Sequence, residues 1–123
     1  MDSFISEFKD LDIIESNKIH IKALISTQNY YFELVFPKNI YEWFVTMYDN
    51  NTKEKIWDDW SEWYITNNIT KDNINNFYQE NIKYFISRIQ SSTEFKIIKN
   101  SHIQLQGKIN NSWKIIDVGK IEN

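Results

Sequence analysis

The feature that most limits the folds open to this chain is a change of apolar period part-way along it. Between Lys71 and Gln90, Ile74, Phe77, Tyr78, Ile82, Phe85, Ile86 and Ile89 recur at spacings of three and four residues. That spacing lays one apolar stripe along a helix. Asn73, Asn76, Gln79, Glu80, Lys83, Ser87 and Arg88 fill the rest, and Asp72 near the start and Arg88 near the end complement the helix dipole. Almost everywhere else the period is two, the mark of half-buried strands.

Ile19, Ile21, Ala23 and Ile25 alternate with His20, Lys22 and Leu24. Ser26-Thr27-Gln28-Asn29 then predicts a turn into Tyr30–Phe36, where Tyr30, Phe32, Leu34 and Phe36 share a face. Pro37 ends that strand or places it at a sheet edge. Over 41–48, Tyr41, Trp43, Val45 and Met47 lie on one side and Glu42, Phe44, Thr46 and Tyr48 on the other. Asp49-Asn50-Asn51-Thr52 reads as a turn leading to a short return strand over 53–57. Strands are also expected over 94–99, 102–109 and 112–118, the last two joined by Asn110-Asn111, since asparagine tolerates the positive φ of a type I′ turn. Phe4, Ile5, Phe8 and Leu11 suit a short amphipathic helix over residues 3–14. With two glycines, one proline and no repeat, nothing divides the 123 residues, so one domain over 1–123 is expected. The fold class is α+β: a mostly antiparallel sheet of about six to seven strands packed on one long helix.

Several chemistries are closed or poorly supplied. The chain has no cysteine, which removes disulfides, thiolate metal sites and a cysteine nucleophile. Glycines stand only at 107 and 119, so no phosphate-cradling loop can form. Its two histidines, His20 and His102, fall in strands, where they read as outward polar residues. Asp58 and Asp59 are adjacent and point apart, which suits a helix cap better than a pair of converging oxygens. No catalytic residue, metal or cofactor is expected, and a binding role is favoured over an enzymatic one. An acidic start without a basic n-region and the lack of a membrane-length apolar run predict a cytoplasmic protein that does not insert in a membrane. Net charge is −3 and Arg88 is the one arginine, so nucleic acid is an unexpected ligand.

The charge is uneven. Residues 41–65 hold six acids against two lysines, whereas from Thr93 onward there are three acids against five lysines. Within the acidic part, Ile56-Trp57-Asp58-Asp59-Trp60-Ser61-Glu62-Trp63-Tyr64 sets three tryptophans at three-residue spacing among three acids. With Asp58 as N-cap, 58–64 is expected to form a short helical turn carrying an aromatic ridge. Either these rings plug the open end of the sheet, or some are displayed as anchors with a carboxylate rim, the composition of a hot spot for a basic protein. On the second reading the partner-binding residues are Tyr48, Asp49, Glu54, Trp57, Asp58, Asp59, Trp60, Glu62 and Trp63. Tyr31, Phe44 and Tyr48 also need a cover, because one helix can cover only one face of a sheet.

A small, cysteine-free, acidic, aromatic-rich α+β chain without chemistry of its own resembles the immunity proteins of bacterial polymorphic toxin and contact-dependent growth inhibition systems. The likeness lies in size, charge, composition and layout, and no position is carried over from it. It implies inhibition of a cognate toxin domain, often a basic nuclease, by occlusion of its active site. The alternative is a small-ligand or regulatory module with an aromatic pocket lined by Trp43, Phe77 and Phe85.

Overall fold

The computed structural model describes residues 4, 5, 7, 8, 11–99 and 102–121, with backbone alone at 102 and 118–121. Its elements are β1 (Asp12–Ser16), β2 (His20–Ser26), β3 (Tyr30–Pro37), β4 (Glu42–Asp49), β5 (Lys55–Glu62), helix α1 (Ile74–Ser91), β6 (Phe95–Lys99), β7 (His102–Ile109) and β8 (Ser112–Ile121). They fall into two compact units, 1–79 and 80–123, with the boundary inside α1. Among the described residues the class is α+β as expected. However, the strands number eight and form two sheets, one of five and one of three.

The first unit is an antiparallel meander in the order β1-β2-β3-β4-β5. Period-two alternation puts Ile21, Ala23, Ile25, Phe32, Leu34, Phe36, Trp43, Val45, Met47 and Trp57 on its inner face, all buried. Phe36 and Trp43 stack there at 6.1 Å. From the first turns of α1, Ile74 and Tyr78 are buried as well, and the Tyr78 hydroxyl donates to the Glu42 carbonyl at 2.5 Å. Burial, then the nearby Glu42, push the Tyr78 phenol well above its ordinary pKa.

Turn chemistry sets the register. At the β4–β5 turn the Asp49 carboxylate accepts from the amides of Asn51 (2.8 Å) and Thr52 (2.9 Å). Those amides hold its pKa below the ordinary value. Lys53 completes this turn at φ 64°. Pro37 ends β3 opposite His20, and β3 is an interior strand, so of the two expectations for Pro37 the strand terminus holds.

In the second unit β6, β7 and β8 form an antiparallel sheet, and Leu105 and Ile116 are buried together with Ile82, Phe85, Ile86 and Ile89 of α1. Asn110 and Asn111 adopt φ of 52° and 66°, as the expected type I′ hairpin requires. Ser92 Oγ donates to the Arg88 carbonyl at 2.7 Å, satisfying one open acceptor at the helix end.

Two sequence expectations are corrected. Asp12–Ser16, partly assigned to an opening helix, is strand β1, exposed at every position and bulged between Ile13 and Glu15. Phe4 and Ile5 are helical and Phe8 N donates to the Ile5 carbonyl at 3.2 Å, while residues 3, 6, 9 and 10 of that expected helix lie outside the described set. Asp58 caps no helix: residues 55–62 are one strand, because β4 offers a full antiparallel partner from Glu42 to Tyr48. Pairing of that length overrides a local helical preference.

Candidate protein-binding surface

Extending β5 through Glu62 separates the tryptophans. In a strand, residues three apart point to opposite faces, so Trp57 turns inward and Trp60 outward. Trp57 is 5% exposed and belongs to the core, whereas Trp60 is 37% exposed. Trp63, beyond the strand, is half-buried and stacks on Phe77 at 6.4 Å. The expected ridge of three rings does not exist, and one of the three reaches the sheet's outer face.

That outer face is ordered in cross-strand rows. Val35, Phe44 and Trp60 are successive partners across β3, β4 and β5, and Phe44 is 39% exposed. Two residues along in one direction, Glu42 faces Glu62. Two residues along in the other, Glu33, Thr46 and Asp58 form a row with a carboxylate at each end. Beyond it Tyr31 and Tyr48 stack at 4.9 Å, with Lys53 Nζ 5.3 Å above Tyr31. An apolar row thus runs across the strands between two carboxylate rows.

Electrostatics give this face its character. Like charges opposite one another across a strand pair are unfavourable. The conflict shows in Glu42, whose pKa is raised above its ordinary value by its hydrogen bond to Glu62, then by desolvation and the Glu62 charge. Tyr64 donates to Glu62 Oε2 at 2.5 Å, and that bond raises the phenol's own pKa. Lys55 bridges Asp58 at 3.1 Å, an exposed pair held weakly against solvent.

Of the residues singled out from sequence, Tyr48, Asp58, Trp60 and Glu62 lie on this outer face. Asp49 and Glu54 belong to the β4–β5 turn, where the Glu54 carbonyl accepts from Asp49 N at 2.9 Å. Asp59 falls on the inner side of β5, half-buried opposite Val45. A charge pointing inward on an edge strand discourages further strand pairing. Val35, Glu33, Glu42 and Phe44 were missed as site residues, Phe44 having been expected only to need a cover. Their signal was the outward half of the alternation in 30–37 and 42–49.

Other sites are poorly supplied. His20 Nε2 lies 3.2 Å from Glu15 Oε1 without hydrogen-bond alignment, and Lys22 and Asn17 also contact that carboxylate. This is a surface charge network. The His102 side chain lies outside the described residues. Phe77 is 43% exposed against Trp63, so it does not wall an enclosed pocket. Among the described residues no three metal-ligating side chains cluster, and no helix is long and apolar enough to cross a membrane. No family model, curated protein or solved structure matches the chain.

Proposed function

We propose that this chain is a stoichiometric protein inhibitor of the immunity-protein kind, which holds a basic toxin domain against the outer face of its five-stranded sheet and occludes the toxin's active site. One observation carries the reading: Phe44 and Trp60 stand adjacent and partly exposed, with carboxylates on both sides. Aromatic anchors surrounded by charge are the composition of interface hot spots. The carboxylates act mainly on encounter, steering a cationic domain and excluding acidic ones. Ring burial then sets residence time, each anchor being worth about 2–4 kcal/mol on truncation. The charge suits a nuclease, whose own surface must be basic to hold phosphates.

The test is protection. The chain is co-expressed with a panel of basic nuclease toxin domains, beginning with any encoded beside its own gene, and host growth is followed. Wild type should restore growth, and Phe44→Ala/Trp60→Ala should not, although it folds. Failure of the wild type to protect rejects immunity. Full protection by the double variant removes this face from the interface.

A further inference from the structure

On the protein-binding reading above, we infer that the partner presents to the Val35–Phe44–Trp60 row an amphipathic helix with basic residues on both sides of its apolar stripe.

The shape of the face carries this. Side chains on one face of a strand repeat every second residue, so the Glu42–Glu62 row and the Glu33–Asp58 row lie four residues apart, about 13–14 Å. A helix with its side chains is about 10–12 Å across, and so fits between them. The row crosses β3, β4 and β5, two inter-strand spacings or about 10 Å, which two helical turns of about 11 Å match. Residues at i, i+3 or i+4, and i+7 of such a helix would meet Trp60, Phe44 and Val35 in turn.

Charge specifies the flanks. One side offers Glu42 and Glu62, the other Glu33 and Asp58. A helix basic on a single side would leave one row unmatched, and an acidic helix would add like charges to both. Lys55 already sits on Asp58, but the exposed pair exchanges readily for a partner cation. A sheet docking flat on this face would have to cover the carboxylate rows along with the apolar one. One cylinder does not.

The probe is a 14-residue peptide of alanine, with leucines at i, i+3, i+7 and i+10 and lysines on both flanks. A second peptide differs by one central proline, which breaks the helix and keeps the charge. Both are titrated into the full chain labelled with 15N. The helical peptide should shift the Trp60 indole signal and the amides of Val35 and Phe44, with the proline peptide at least tenfold weaker. Equal binding of the two peptides, or shifts confined to other residues, overturns the inference. A chain that protects cells yet ignores the helical peptide keeps its inhibitory role and loses only the helix.

Discussion

Substituting Trp57 and Trp60 in turn separates a core residue from a displayed one, three positions apart on one strand. Trp57 is 5% exposed, so Trp57→Ala removes nearly a whole indole from the interior. Burial of about 200 Å² at about 25 cal/mol/Å² gives a transfer contribution near 5 kcal/mol, an upper figure because the unfolded chain is itself partly collapsed. Large-to-small core changes that leave a cavity cost about 3–5 kcal/mol. Trp60 is 37% exposed on the outer face, where water fills the vacated space and no cavity remains. By the same conversion the loss of its roughly two-thirds burial, with the cross-strand contact to Phe44, costs about 3 kcal/mol. Urea unfolding followed by far-UV circular dichroism should give two costs about 1–2 kcal/mol apart, with Trp57→Ala the larger, and Trp57→Phe replaces Trp57→Ala in case the latter does not fold. Equal costs for the two alanine variants would refute the strand through Glu62 and restore a helical turn.

Other consequences follow from single contacts. A Cβ on Gly107 would lie 2.0 Å from Ser92 Oγ and 2.6 Å from Ile116 Cδ1, so Gly107→Ala should cost about 1–3 kcal/mol in urea unfolding. Adding Ser92→Gly should recover part of that loss, and no recovery would contradict the close approach. Asn111→Val forces a branched residue to φ 66° and should destabilise the hairpin by about 1–2 kcal/mol, whereas Asn111→Gly should not. Because the folded-state pKa of Glu42 is raised, the folded state holds that proton more tightly than the unfolded one, and stability is lost as pH rises above 4.5. Glu42→Gln should therefore gain on wild type as pH rises through that window, and a pH-independent difference would count against the raised pKa. Asp49 has the opposite sign: its depressed pKa contributes stability above pH 3.8 that disappears as pH falls. The deficit of Asp49→Ala should shrink below that pH.

What could be read beforehand depended on whether an element buries one face. The runs 20–26, 30–37 and 42–49 alternate because inner residues such as Phe32, Leu34 and Trp43 are sealed and their neighbours are not. The helix was equally legible, since its stripe recurs through Ile89. β1 could not be seen: all five of its residues are exposed, so no periodicity marks them. β5 was half seen, because tryptophans at three-residue spacing satisfy a helical ridge as well as a strand with a ring on each face. Pairing with β4 decides between these, and pairing is a tertiary fact. For the same reason sequence predicted a single sheet. Alternation shows which side of a strand is wet, not which strand lies beside it, and so Phe44 beside Trp60 could not be found in advance.

The claim that matters most is that Phe44 and Trp60 anchor a basic partner. Calorimetric titration of a toxin domain against which the chain protects cells into wild type, Phe44→Ala and Trp60→Ala measures it directly. Each variant, still folded, should raise Kd by about 30-fold or more, the equivalent of about 2 kcal/mol. A toxin domain that binds wild type tightly and both variants within threefold of it would contradict the account.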